Sequence, residues 1–310
     1  MKYTFSHVRT YFFGAALLAL GSLSLGCVPA KPAPVAPSGG AAATGEHFEG
    51  DGHDHSHSGS GNDHGHSHDG GAHHEGDAHA HVLKVTTEGG EPVAGKPIEL
   101  VLTVRDESGN AVTKFDVVHE HPLHLILVRD GLDEFFHVHP AVDASGVATV
   151  SFTFPTAGKW LLFADHAATG HGEAVAQTTL DVAGDARPPA PLTVNAPGKI
   201  AGEGAAGAPL SANVSVTPSA DRKEAKIAFD LLAKAGGPAE GLQKYLGAAG
   251  HLVVLSADGK KYIHTHPEQT DAASHVEFDA HLPGAGIYKG WAQFKQGETV
   301  YTFPFVFEIK

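Results

Sequence analysis

Cysteine and methionine are almost missing from this 310-residue chain, which has one of each, Cys27 and the initiating Met1. A single thiol excludes an intrachain disulfide, a cysteine-based zinc knuckle and an iron–sulfur cluster. The lack of further methionine excludes the thioether-rich sites that take Cu(I). Basic residues are also scarce, 21 Lys and Arg against 35 Asp and Glu, for a formal charge of −14 with histidine neutral. That balance argues against nucleic acid or an anionic lipid surface as a partner. No Gly-x-Ser-x-Gly, phosphate loop or dinucleotide fingerprint stands in a suitable context. Histidine, by contrast, is abundant: 24 residues, more than Lys and Arg together. Any metal site in the mature chain must be built from imidazole and oxygen.

Lys2 and Arg9 open the chain, Tyr11 to Leu25 is an apolar run with small residues, and Gly26-Cys27 closes it. This is a secretory signal over 1–26, too short for a comfortable membrane span. Leu23-Ser24-Leu25-Gly26-Cys27 resembles a bacterial lipobox, with Ser24 where Leu is commoner. The resemblance implies that Cys27 is lipidated, becomes the mature N-terminus and anchors the protein to a membrane of the bacterial cell envelope. Val28 in place of Asp points to the outer membrane in a Gram-negative cell.

Residues 27–81 form a tether followed by a histidine-rich tail. Val28 to Gly45 is mostly Pro, Ala, Gly and Ser, the composition of a flexible linker. Glu46 to His81 carries His47, His53, His55, His57, His64, His66, His68, His73, His74, His79 and His81, with eight Asp or Glu and no Lys or Arg. Asp54-His55-Ser56-His57 recurs as Asp63-His64-Gly65-His66. There is too little apolar surface to fold, so disorder is expected. His-x-His repeats beside carboxylates suit Zn, Cu(II) and Ni, and the tail resembles the histidine-rich loops of bacterial zinc- and nickel-handling proteins. The ordering cost predicts modest affinity per ion.

From Val82 the pattern changes to period-2 runs separated by Gly, Asp and Pro. Strands are predicted at 82–87, 98–105, 123–129, 134–139, 147–154, 159–166 and 175–182, the signature of a β-sandwich. The second half repeats the first. His124-Leu-Ile-Leu-Val aligns with His251-Leu-Val-Val-Leu, and Phe136-His137-Val138-His139-Pro140 with Ile263-His264-Thr265-His266-Pro267, both at an offset of 127. Pro155-x-x-Gly158-x-Trp160 then matches Pro283-x-x-Gly286-x-Tyr288 at 128. The expected fold is all-β: two tandem immunoglobulin-like sandwiches, 82–184 and 211–310, joined by a linker at 185–210 that lends an edge strand around Leu192–Val194.

The repeat keeps three histidines in register. Asp258-Gly259 has the composition of a two-residue hairpin turn, which sets His251 opposite His266. Residues two apart on a strand share a face, so His251, His264 and His266 project together, as do His124, His137 and His139 in the first copy. Two readings follow. Each triad binds one divalent transition metal, Cu(II) or Zn(II), with an open fourth position. Alternatively the imidazoles are structural, capping backbone groups or stacking on Trp160 and Trp291. His121, Asp165 and His166 are candidate fourth ligands in the first copy. The second copy has Ala248, Gln293 and Phe294 there. His171, His275 and His281 read as surface residues.

The stretches from His119 to Pro140 and from Gly250 to Pro267 resemble a group of bacterial secreted proteins described as YtkA-like or heavy-metal-binding. The resemblance implies small exported β-sandwiches of immunoglobulin type, and its HxHP and upstream histidine fall on His137, His139 and His124 and on His264, His266 and His251. The expected function is an exported lipoprotein that binds divalent transition metal as a buffer, resistance or delivery protein, with a metal-transport or other envelope protein as partner. The alternative is a pair of Ig-like interaction modules that bind no metal. His137-x-His139 with Asp143 is similar to the start of a cupin motif, but the Glu and the second-motif Gly and His are missing, so no enzyme is expected.

Overall fold

The computed structural model describes residues 81–204, 210–269 and 271–310. The signal-like run, Cys27 and the tail histidines up to His79 lie outside the described residues. Among the described residues there is no helix. The fold is all-β, two β-sandwiches in tandem.

The first sandwich contains β1 (Val82–Glu88), β2 (Pro97–Arg105), β3 (Phe115–Asp116), β4 (Leu123–Arg129), β5 (Phe135–Val138), β6 (Ala141–Val142), β7 (Val147–Thr153), β8 (Gly158–Ala168) and β9 (Gly172–Val182). They run in the order β5-β4-β8-β9-β1-β2-β7-β6, with β3 also on β8. The sheet turns over where β1 meets β9 through one parallel pair, Val82 opposite Gln177. The second sandwich contains β10 (Gly198–Ala201), β11 (Ser211–Pro218), β12 (Glu224–Leu232), β13 (Leu242–Gln243), β14 (His251–Ser256), β15 (Tyr262–Thr265), β16 (His275–His281), β17 (Gly286–Gln296) and β18 (Thr299–Ile309). Here β10-β11-β12-β16 forms one sheet, and β13-β17-β14-β15 with β18 the other. The strand borrowed from the linker is therefore 198–201, paired with β11, and not Leu192–Val194. Leu192 instead packs as a side chain against the layer between the domains.

Alternation explains the two cores. In β2 every second residue is buried, and Leu100, Leu102 and Val104 meet Leu123, Leu125 and Leu127 of β4 around Trp160 and Phe154. Phe229, Phe278, Phe294, Phe303 and Phe305 fill the second core. The hairpin strands break the rule, because β4 is buried along its whole length and β14 almost so. Their second face makes a third apolar layer, in which Ile126, Val128 and Phe163 of the first domain meet Val253, Leu255, Tyr262 and Trp291 of the second. Rings stack across it, Phe135 on Trp291 at 4.9 Å and Phe163 on Tyr262 at 4.6 Å between centroids. The linker is pinned at both ends. Arg187 pairs with Asp133 (2.6 Å) and Glu134 (2.7 Å), and Asn195 exchanges hydrogen bonds with Val306 of β18.

The hairpin register follows expectation through a different turn. Leu252 lies opposite Thr265 and Val253 opposite His264, which sets His251 level with His266. Yet the loop has four residues, 257–260, closed by Ser256 and Lys261. The Gly259 N–H bonds back to the Ser256 carbonyl, Asp258 accepts from Ser256 Oγ, and Gly259 takes φ +70°. A type I turn followed by a left-handed glycine costs less than two left-handed residues. The longer loop adds one residue per strand side, so the pairing is unchanged. In the first copy Leu125 lies opposite Val138.

The third layer makes a prediction. Trp291→Ala should lower the unfolding free energy by about 3–5 kcal/mol. Guanidinium unfolding can be followed by Trp160, the one tryptophan left of two. Its midpoint should fall although the substitution lies in the other domain. An unchanged midpoint would mean that the domains unfold independently.

Candidate metal centre

Alternation along β4 and β14 places His124 on the same face as Ile126 and Val128, and His251 on the same face as Val253 and Leu255. The histidines therefore stand at one end of the layer between the domains. Eight meet there: His119, His121, His124, His137 and His139 from the first domain, and His251, His264 and His266 from the second. Ring centroids bridge the halves, His137 to His264 at 5.6 Å, His137 to His251 at 5.9 Å and His124 to His264 at 6.0 Å. The two triads, expected one in each domain, adjoin.

Among the described residues, two groups of three have ligand atoms within 4.8 Å of one another, His124/His137/His139 and His119/His251/His266. The first is the expected triad. In the second, His119 from the other domain takes the place expected of His264. His264 Nε2 remains 3.4 Å from His251 Nδ1, and His266 Nε2 lies 2.9 Å from that atom. His119 arrives on a strained turn, its ring 3.7 Å from that of His266. His119 and Glu120 both have positive φ, 49° and 70°, which non-glycine residues adopt at a cost. The repeat has Leu246 and Gly247 in the same conformation, φ 50° and 77°. Sequence reasoning missed His119, for its equivalent in the repeat, Leu246, is apolar.

Hydrogen bonds fix the tautomers. A carbonyl or carboxylate oxygen accepts only, so the ring nitrogen facing it must donate. His124 Nε2 donates to the Val118 carbonyl (2.9 Å), and His251 Nε2 to the Tyr245 carbonyl (2.8 Å), the matching turn of the repeat. His137 Nδ1 donates to Gln293 Oε1 (2.9 Å) and His264 Nδ1 to Asp165 Oδ2 (2.7 Å). The second ring nitrogens of His124, His137 and His251, whose proton affinity burial lowers, carry lone pairs. They face each other, His124 Nδ1 and His137 Nε2 being 3.0 Å apart. His139 Nε2 is buried with no hydrogen-bond partner. Tetrahedral zinc with bonds of about 2.0–2.1 Å separates its nitrogens by roughly 3.3 Å.

Burial lowers the proton affinity of His119, His124, His137, His139, His251 and His266. It pushes His124 down to about 4 and His139 to about 3, with neighbouring imidazoles adding to the effect. His137, His251 and His266 lie well below the ordinary value for the same reasons. A cavity of about 20 Å³ lined by His119, His121, His124, His264, His266 and Asp165 opens beside them, room for about one water-sized occupant.

The other candidates fall as follows. The structural reading holds for one nitrogen of His124 and His251, which cap carbonyls, but Trp160 packs on Phe136 and Phe154 and Trp291 on Phe135, away from the imidazoles. Of the proposed fourth ligands, His121 stacks on His139 at 4.0 Å, Asp165 serves His264 of the second domain, and His166 meets His81 at 2.9 Å. Asp143 caps its own turn through Ser145 and Val147. His171 and His275 are exposed and His281 is partly so.

Fold and site together define a class: a β-sandwich protein whose histidine clusters have the geometry to hold metal ions. A family model described as a domain of unknown function, DUF8832, matches residues 78–184 and again 210–310, and the chain belongs to that family. No curated protein matches the chain. Among solved structures it is similar to a protein of Corynebacterium diphtheriae described as membrane-anchored, with 14% identity and TM-score 0.23 over 74% of this chain and 58% of that one. It is also similar to Escherichia coli alpha-2-macroglobulin, with 11% identity and TM-score 0.22 over 74% of this chain and 15% of that one. The FN1–FN3 domains of chicken CNTN1 share 11% identity, with TM-score 0.19 over 76% and 68%. At these scores none of them bears on function.

The lowered proton affinity of His124 and His139 predicts a pH dependence. Unfolded, each imidazole takes a proton near pH 6.5. Folded, His124 waits until about 4 and His139 until about 3. The unfolded chain binds more protons across that window, so stability falls as pH drops through it. The exposed His275–Asp230 pair acts the other way but is screened by solvent. The melting temperature of the metal-free protein should be flat above pH 7 and fall steadily from 6.5 to 4. A constant value would contradict the burial of His124 and His139.

Proposed function

We propose that the protein is an exported lipoprotein that binds divalent transition metal of the Cu(II)/Zn(II) class as a buffer, resistance or delivery protein. One observation carries this. Acceptors on the far side of His124 and His137 fix their tautomers, so that two lone pairs meet at 3.0 Å with no proton available between them. Such a contact is repulsive until a cation takes its place, and a ligating histidine characteristically donates its other N–H to a carbonyl or carboxylate. The resemblance to YtkA-like, heavy-metal-binding proteins and the eleven histidines of 46–81 support the same reading. Under it the tail collects ions weakly at the envelope, and the rigid cluster, needing less ordering, holds them more tightly. A metal-transport or envelope protein is the expected partner.

The test uses the full chain with alanine at His47, His53, His55, His57, His64, His66, His68, His73, His74 and His79, so that the tail does not compete. Titrated with Zn(II) near pH 7, it should bind two ions, and His137→Ala should remove one. Metal should raise the melting temperature, by about 2.7 kcal/mol of stabilisation at a hundredfold excess over Kd. Absence of binding at micromolar metal would favour the Ig-like interaction module.

The anchor has its own test. Cys27→Ser should release the protein from the membrane fraction or stall its processing. A processed variant that stays with membranes would contradict lipid attachment.

A further inference from the structure

Each domain orients a histidine of the other. Asp165 lies opposite His124 across β4 and β8, and Gln293 opposite His251 across β14 and β17. These are matching positions of the repeat. Each side chain reaches over the interface: Asp165 accepts from His264 and Gln293 accepts from His137. The exchange is symmetric in place but not in charge. A carboxylate behind a ligating imidazole fixes its orientation, raises its basicity and supplies a negative charge, whereas an amide supplies orientation alone.

A second asymmetry points the same way. His119 adds an imidazole to His251 and His266. Its counterpart Leu246 can add none to the first hairpin. The two sites also adjoin, with His137 and His264 at 5.6 Å between centroids. Two dications this close in a buried setting repel strongly and are poorly screened by salt.

We propose that the cluster loads in order. The first divalent ion goes to the second domain's hairpin, on His251, His266 and the incoming His119, with His264 as a fourth imidazole 3.4 Å from His251. The second goes to His124, His137 and His139 with lower affinity. Asp165 is the positioning residue that sets this order, acting through His264 from the neighbouring domain. The proposal rests on the metal-binding reading above.

The experiment is a Zn(II) titration of the full chain carrying the ten tail alanines, against a chromophoric chelator of known affinity. Two steps are expected, the first at least about tenfold tighter. His251→Ala should remove the tighter step and His137→Ala the weaker. Asp165→Asn should weaken the tighter step by about 10–100-fold and spare the other. Gln293→Glu should strengthen the weaker step, a gain that damage to folding does not produce. Two equal steps would overturn the order. So would an Asp165→Asn variant that lowers neither step or both alike, or a Gln293→Glu variant with no gain. If the unsubstituted cluster binds no zinc, the metal reading fails as well. If it binds two ions equally, only the order fails.

Discussion

The structure depends on one constraint: β4 and β14 are apolar on both faces. Leu123, Leu125 and Leu127 fill the first core, which leaves Ile126 and Val128 on the outside. Val253 and Leu255 pose the same problem in the second domain. An exposed sheet face of that kind is costly at roughly 25 cal/mol per Å² of apolar surface. Docking the two faces against each other removes the cost. Everything at the histidine end follows, because residues in phase with Ile126 and Val253 are carried into the same interface. Burial then lowers their proton affinity, and the limited room brings eight imidazoles together.

A cluster so buried needs each ring nitrogen accounted for. The backbone carbonyls of two matching turns serve one nitrogen of His124 and His251, and side chains of the opposite domain serve His137 and His264. These contacts are structural in the ordinary sense, since an unpaired buried donor costs about 1–3 kcal/mol. They also decide which nitrogens are left for a ligand. Structural and ligating roles, which read as alternatives in sequence, here belong to opposite edges of the same ring. The strained His119-Glu120 turn fits this pattern, its carbonyl at Val118 orienting one histidine while its first residue supplies another.

Most of the fold was legible in sequence, because it rests on local period-2 alternation and on a repeat internal to the chain. The strands around His124 and His251 and their register were readable from spacing alone. The Asp258-Gly259 pair led to the right pairing through a shorter turn than the one formed. The docking of the domains was harder to see. The unbroken apolar run from Leu125 to Val128 was the available signal, and it reads equally as one very apolar strand. Gln293 was readable as the partner position of Asp165, but as a lost ligand. Its actual role, accepting from His137, needs the two sandwiches side by side, which no one-dimensional spacing encodes. His119 lay hidden for the same reason, and the edge strand at 198–201 was misplaced because a Pro- and Ala-rich stretch carries little alternation.

The linker adds a consequence of its own. Arg187 binds Asp133 and Glu134, the Ala190 N–H bonds to Asp133, and Asn195 holds β18. Short anchored connections set effective concentrations in the millimolar range. The two sandwiches thus meet at a local concentration that does not depend on how dilute the protein is. An interface with a polar, histidine-lined end need not be strong by the standards of separate molecules to stay closed. Loosening the Arg187 latch is then equivalent to diluting one domain with respect to the other, with no change to a single residue of the contact itself.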